Sequence, residues 1–73
     1  MATTFAQTLQ ARKTVDLELV GLDGNAYALM GAFKRQATRE RWSAEEVSAV
    51  LDEAMSDDYD HLLQTLVQVC DAK

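Results

Sequence analysis

The hydrophobic pattern of this chain changes its period once. In the segment 14–20, apolar residues alternate with acidic ones, so that Val15, Leu17 and Leu19 lie on one face. An alternation of this kind is typical of a half-buried strand. Downstream of the segment, apolar residues recur at every third or fourth position, which is the spacing of an amphipathic helix. The pattern therefore predicts one strand followed by helices.

The first predicted helix follows the turn 21–25 and runs to about Glu40. Either Asp23 or Asn25 can cap its N-terminus, and Gly24 is expected to supply a positive φ in the turn. The apolar stripe of this helix consists of Ala26, Tyr27, Met30, Phe33 and Ala37. No proline interrupts the segment, which favours one continuous helix.

Two more helices are predicted from their caps. The residues 43–46 have the Ser-x-x-Glu form of a capping box, which predicts a second helix from about Ala44 to Met55. Ser56-Asp57-Asp58 supplies a cap for a third helix that ends near the C-terminus. The inner stripe of that helix consists of Tyr59, Leu62, Leu63, Leu66, Val69 and Cys70. The predicted fold is mainly α with one β-strand (β-α-α-α), a small single domain over residues 14–73.

A lone strand leaves both of its backbone edges without partners. Pairing with a second copy would complete a homo-oligomer, either a dimer or a larger assembly, and would enlarge a core that is thin in 73 residues. Alternatively, residues 3–10 form the partner strand within the chain. The segment 1–13 can also be a flexible tail or a short amphipathic helix, since Phe5 and Leu9 are spaced i, i+4. The sequence favours pairing between copies.

Composition narrows the environment and the class of partner. Cys70 is the single cysteine, so no intrachain disulfide can form, and a free thiol is typical of a reducing compartment. No signal peptide and no run of about 20 apolar residues is recognised, so a cytoplasmic protein without a membrane segment is expected. A net charge of −5 argues against general nucleic-acid binding.

Charge is unevenly distributed along the chain. Four of the seven basic residues fall within the first predicted helix and just after it, at Lys34, Arg35, Arg39 and Arg41. The rest of the molecule is strongly acidic. The sequence therefore predicts a basic edge on an acidic body, where the default role of the basic residues is a solvated helix face.

Residues that could carry catalysis are few. His61 lies among aspartates and could act as a base, but the spacing favours a local contact with Asp57, and no nucleophile is evident nearby. Cys70 is assigned to the core as a small hydrophobic residue. The acidic residues at 57–60 lack the spacing of a calcium-binding loop. The sequence thus predicts a non-enzymatic protein with no catalytic residue, no metal site and no cofactor.

The turn before the first predicted helix is the best candidate for a binding site. A helix start carries unpaired N–H groups that can hold a phosphate. Aromatic side chains at 27 and 42 could stack on a base, and arginines could add positive charge. The candidate ligand-binding residues are Asp23, Gly24, Asn25, Tyr27, Arg35, Arg39 and Trp42. The caps explain the turn without any ligand, and Trp42 can equally pack against Val47 as a hydrophobic staple, which the sequence favours.

Distance along the helix limits this candidate site. By the rise of 1.5 Å per residue, Arg39 lies about 20 Å from Asn25. One ligand could reach both residues only if it were long or if it lay between two copies. The hypothesis therefore includes oligomerisation.

Two segments together resemble a group of small proteins encoded by phages and mobile elements. They are VDLELVGLDGNAYALMGAF at 15–33 and SAEEVSAVLDEAMSDDYDHLL at 43–63. Members of the group have a strand, a G-x-DGNA-aromatic turn with a helix, a helix with paired acidic residues near its start, and a GDYDHLL-like helix. This chain has Asp57 where the group has glycine.

The resemblance implies a phage or mobile-element origin, and small proteins of that origin often occupy a host component or sequester a host signal. We first expect an anti-defence sponge that binds a phosphate-bearing nucleotide immune signal through the candidate residues. The alternative is an acidic inhibitor or adaptor that binds a host protein, such as a nucleic-acid enzyme, by charge mimicry.

Overall fold

A computed structural model describes residues 4–19, 21 and 24–72 of the chain. Four α-helices form the fold in these residues: α1 (Phe5–Gln10), α2 (Ala26–Arg39), α3 (Ala44–Ala54) and α4 (Tyr59–Val69). The mainly α character predicted from the sequence is confirmed. The β-α-α-α assignment is wrong, because the described part of the chain contains no β-strand.

The segment predicted as a strand is extended but pairs at one residue only. The N–H of Val15 donates to the carbonyl of Val69 at 2.8 Å, and the N–H of Asp71 donates to the carbonyl of Val15 at 2.9 Å. These bonds form an isolated parallel bridge between Val15 and Cys70. The N–H of Leu17 also donates to the Val15 carbonyl at 3.0 Å, which turns the chain directly after the bridge.

Alternation of apolar and polar residues shows which side chains face the core. It does not show whether the backbone is hydrogen-bonded to a neighbouring strand. Val15 is fully buried and Leu17 and Leu19 pack partly against the core, as the alternation indicated. Strand pairing between copies loses its basis, because the polar groups of the Val15 backbone are bonded within the chain. Val20, the last residue of the predicted strand, lies outside the described residues.

The N-terminal segment contains a short helix, which was one of its three predicted conformations. The Thr4 side chain accepts from the N–H of Gln7, and the Gln7 side chain accepts from the N–H of Thr4, so a complete capping box starts α1. The suggestion that residues 3–10 form a partner strand is therefore wrong. α1 packs against α3 with Thr8 buried and with Phe5 and Leu9 against the core.

α3 lies at the centre of the packing, because it contacts α1, α2 and α4. Its buried residues Val47, Val50 and Ala54 share one core with residues from the other elements. Phe33 and Trp42 meet edge to face, with ring centroids 5.5 Å apart and planes at 88°. The core residues are Val15, Leu29, Phe33, Ala37, Trp42, Val47, Val50, Ala54, Leu62, Leu66 and Val69.

Helix starts agree with the sequence in most details. Ser43 and Glu46 form the predicted capping box, Asp58 caps α4, and Asn25 is the cap of α2. The positive φ of the turn before α2 is at Gly21, with φ 92°, and Gly24 does not share it. Asp57, at the position where the sequences that this chain resembles have glycine, does not have a positive φ either.

The buried face of α2 is rotated from the predicted stripe. Leu29, Phe33 and Ala37 are its buried residues, whereas Tyr27 is exposed. Leu29 therefore replaces Tyr27 in the core. The Tyr27 ring is therefore at the surface and available for contacts.

The longest helix of the described residues, α2, has 14 residues. No helix in this part of the chain is long and apolar enough to cross a membrane.

Candidate functional site

The two sequence motifs that carry the resemblance meet in space. The hydroxyl of Tyr59, in the first turn of α4, donates a hydrogen bond to the main-chain carbonyl of Gly24, in the turn before α2. The starts of α2 and α4 are thereby held side by side. Although 35 positions separate these two residues in the chain, they define one corner of the molecule.

A groove of about 280 Å³ lies at this corner. Residues from the start of α2, the end of α3 and the start of α4 line it. Three large apolar side chains on its walls are exposed: Tyr27 by 81%, Met55 by 56% and Tyr59 by 44%. Within the described residues, the only other large apolar side chain so exposed is Val67, which does not line the groove. Exposed apolar surface is thus concentrated here.

Acidic side chains form part of the same groove. Asp57 and Asp58 both line it. One carboxylate oxygen of Asp58 accepts from the N–H of His61 at 3.0 Å as the cap of α4, and one of Asp57 accepts from the N–H of Asp58 at 2.9 Å. Each helix start contributes a positive charge of about one half. Two full negative charges exceed that contribution, so the groove is acidic as well as apolar.

A second groove, of about 480 Å³, runs between α2 and α3. Lys34 and Thr38 lie on its α2 wall, and Ser48 and Asp52 lie on its α3 wall. Met55 lines both grooves, so the two adjoin at this side chain. We call the smaller groove, with Tyr27, Asp57, Asp58 and Tyr59, the acidic groove and the larger one the α2–α3 groove. The two together are called the α2–α3 valley.

The predicted binding residues of the turn have structural roles. The Asn25 side chain accepts from the N–H of Tyr27 at 2.8 Å and so caps α2. The Gly24 carbonyl accepts from Tyr59. Asp23, the third of these residues, lies outside the described part of the chain.

The remaining predicted residues lie on different surfaces. Tyr27 lines the acidic groove, and Arg35 and Arg39 are exposed on α2 and line neither groove. Trp42 is 7% exposed and lines the α2–α3 groove with Val47, the residue predicted as its staple partner. Within one chain, the described members of the predicted set do not come together at one site.

Lys13 is a residue whose role the sequence reasoning did not identify. Its ammonium lies 2.7 Å from a carboxylate oxygen of Glu46 and 5.1 Å from the ring centroid of Trp42. Lys13 and the main-chain N–H of Ser43 hold the pKa of Glu46 below its ordinary value of 4.5. These contacts tie the segment after α1 to the start of α3. No local sequence signal joins positions 33 residues apart.

His61 does not pair with Asp57 as predicted. Its Nε2 lies 2.6 Å from a carboxylate oxygen of Glu53, and both side chains are about one-third exposed. The Ser56 hydroxyl donates to the Glu53 carbonyl at 2.7 Å and lies 3.3 Å from the same carboxylate oxygen. Because serine and histidine both contact the glutamate, the arrangement fastens the α3–α4 turn and does not present an activated serine.

Two further observations concern reactive groups. Burial and, to a smaller extent, the Glu40 carboxylate raise the pKa of the Cys70 thiol to about 11, so it stays protonated at neutral pH. Glu40 itself accepts from the N–H of Asp16 at 2.7 Å and from the Gln36 amide at 2.8 Å. Over the described residues, no three His, Cys, Asp or Glu side chains are grouped so that they could hold a metal ion.

Comparison with models of known families, with characterised proteins and with solved structures gives no match to this chain.

Proposed function

We propose that this chain is a non-enzymatic protein-binding module of phage or mobile-element type, which acts as an inhibitor or adaptor by binding a basic segment of a host protein. The acidic groove is the observation that supports the proposal. It combines three of the four large apolar side chains that are exposed in the described part of the chain with two carboxylates. Contiguous exposed apolar surface with a polar rim is characteristic of interaction sites.

The chemistry of the groove fits a protein partner. Tyrosine supplies a large contact area at a small entropic cost and is enriched among the residues that dominate binding energy. Methionine adapts to partners of different shape. Asp57 and Asp58 favour a partner with positive charge and speed its approach, since complementary charge acts mainly on association rates and specificity. The net charge of the whole chain, −5, is also negative and so also favours a basic partner.

The test is a pull-down from bacterial lysate with a photo-crosslinker placed at Ser48, which lines the α2–α3 groove together with Met55. Three purified variants are compared with the unsubstituted protein: Met55→Asp, the double variant Asp57→Asn/Asp58→Asn, and Val67→Asp as the matched control on another surface. Asparagine at 58 keeps the cap of α4 while it removes the charge. Circular dichroism verifies that each variant is folded.

Capture that is lost in the Met55 and double-aspartate variants, kept in the Val67 variant and weakened by salt supports the proposal. Salt weakens binding because it screens exposed charges beyond about 8 Å at physiological ionic strength. Capture that is equal in all variants, or insensitive to salt, contradicts it. Absence of any captured basic protein also counts against it.

Sequestration of a nucleotide is the second candidate function. Its support is the α2–α3 groove, whose volume of about 480 Å³ lies within the usual range for small-molecule sites and whose walls include Lys34 and Trp42. Arg35 and Arg39 could contribute only from a second copy, because they do not line this groove.

This candidate is tested by exposing the protein to lysate in which nucleotide immune signalling has been triggered, then washing and heating it and analysing the supernatant by mass spectrometry. Release of a cyclic or ADP-ribose-type nucleotide, lost in Lys34→Ala, would support sequestration. An empty supernatant would exclude this candidate under those conditions and leave the protein partner as the remaining proposal.

A further inference from the structure

We infer that the partner segment is an amphipathic α-helix of about three turns, which lies along the α2–α3 valley and carries a basic side chain at the end formed by Asp57 and Asp58. This inference rests on the proposed protein-binding function and specifies what binds. It starts from Met55, which lines both the acidic groove and the α2–α3 groove.

The walls of the valley have the spacing of helix surfaces. On α2 the lining residues Ala26, Met30, Lys34 and Thr38 follow one another at intervals of four. The α3 wall has the same interval between positions 44, 48 and 52. Rows at this interval form the grooves into which ridges of another helix pack. From position 26 to position 38 the valley extends about 18 Å, the length of a 12-residue helix.

A helix suits this valley better than an extended peptide. An extended peptide gains affinity when its backbone pairs with a strand edge. The described residues offer no strand, and Val15 already uses its main-chain groups within the chain. A helix satisfies its own backbone and presents apolar side chains at i, i+3 or i+4, and i+7, which match a groove of apolar and small residues.

Charge along the valley distinguishes its ends. In the middle, Lys34 and Asp52 lie on opposite walls, so their charges offset one another for a ligand between them. At the acidic groove, Asp57 and Asp58 line the wall without a cation among the lining residues. Tyr27 and Tyr59 provide ring faces there, on which an ammonium or guanidinium group is favoured. The occupant should therefore place lysine or arginine at this end.

The experiment uses the full chain as bait for a yeast-displayed library of random 16-residue peptides. Enriched peptides are synthesised, and their binding is measured by fluorescence anisotropy. We expect apolar residues at i, i+3 or i+4, and i+7, with lysine or arginine near one end. We expect Met55→Asp and Asp57→Asn/Asp58→Asn each to weaken binding by at least about tenfold, as substitutions at dominant interface residues do. Val67→Asp should leave binding unchanged.

A proline substituted at the centre of an enriched peptide tests whether that peptide binds as a helix, because proline interrupts a helix. Loss of binding with proline supports the inference. Enriched peptides with apolar residues at every second position that tolerate proline would overturn the helical occupant but leave the acidic groove as a protein site. Peptides that bind the Met55 and aspartate variants as well as the unsubstituted protein would overturn the site itself. A library without enrichment would overturn the inference, while the lysate experiment still decides the proposed function.

Discussion

The Tyr59 hydroxyl donates its hydrogen bond to the Gly24 carbonyl and so joins the start of α4 to the turn before α2. Gly24 and Tyr59 belong to the DGNAY and DYDHLL segments, which are 35 positions apart. The contact joins the two segments without requiring a ligand between them. Tyr59 also lines the acidic groove, so the stability of this corner and its ability to bind are linked.

Removal of that hydroxyl should loosen the corner. We expect Tyr59→Phe to lower the free energy of unfolding by about 0.5–1.5 kcal/mol, the usual net contribution of one hydrogen bond. The measurement is urea unfolding followed by circular dichroism. Tyr27→Phe is the matched control, because Tyr27 is 81% exposed. Equal midpoints for both variants would show that the Tyr59 bond does not stabilise the fold.

The pair of Lys13 and Glu46 should make stability depend on acid. The folded state lowers the pKa of Glu46, chiefly through Lys13. A carboxylate with a lowered folded pKa stabilises the protein above its unfolded pKa, and this contribution is lost as pH falls through the folded pKa. We therefore expect stability to decline below about pH 4.5, the ordinary value. The measurement is the urea midpoint at a series of pH values.

Glu46→Gln is the control for this prediction, since glutamine can keep the capping box with Ser43 but does not ionise. The acid-dependent part of the curve should be smaller in this variant and also in Lys13→Gln. A pH dependence identical to that of the unsubstituted chain would show that the Lys13–Glu46 pair does not stabilise the fold.

Cys70 should make stability depend on alkaline pH. Its folded pKa is about 11 against an ordinary value of 9.0, chiefly because of burial. A raised folded pKa gives a contribution that is complete below the unfolded pKa and is lost as pH rises through the folded one. Stability should thus decline between about pH 9 and about pH 11. The urea midpoints of the chain and of Cys70→Ala are compared across this pH range, and their difference isolates the contribution of the thiol.

The same thiol should react slowly. At pH 8 we expect iodoacetamide to alkylate Cys70 about a hundredfold more slowly in the folded chain than in urea, because the thiolate is the reactive form and folding raises the pKa of the thiol from 9.0 to about 11. Mass spectrometry of timed samples measures both rates. Similar rates in the folded and unfolded chain would mean that Cys70 is not protected.

α1 should be part of the cooperative fold. A chain that begins at Lys13 loses Phe5, Thr8 and Leu9 from the packing against α3. We expect it to lose about 2–4 kcal/mol of stability, since burying one large apolar side chain contributes about 1.5–3 kcal/mol and these are partly buried. Urea unfolding measures the loss. A midpoint equal to that of the full chain would contradict the prediction.

Sequence reasoning succeeded where the signal was local. The capping box of Ser43 and Glu46 and the cap at Asp58 were read correctly, because each cap depends on residues within one turn. It failed where a partner had to come from elsewhere. His61 contacts Glu53 on another helix instead of Asp57, and Tyr27 faces solvent while Leu29 enters the core. Helical periodicity gives the position of the buried face only approximately, so a residue at the edge of that face can be predicted as buried when another residue close to it is the buried one.

The candidate site shows the same division. Sequence reasoning drew attention to Gly24 and to Tyr27, and both lie at the corner where the acidic groove is found. It did not assign Met55 or Tyr59 to a site, because nothing in the chain shows that the end of α3 meets the start of α2. The arginines predicted to share the site lie on another surface of α2.

The sequence alone determined where α2, α3 and α4 begin and which face of the segment around Val15 turns inward, because caps and periodicity act through neighbouring residues. Only the tertiary structure decided that this segment pairs at a single residue, that Lys13 reaches Glu46, and that Tyr59 meets Gly24. These contacts depend on the approach of distant elements as their apolar faces are buried together, and a local pattern carries no record of which surfaces will meet.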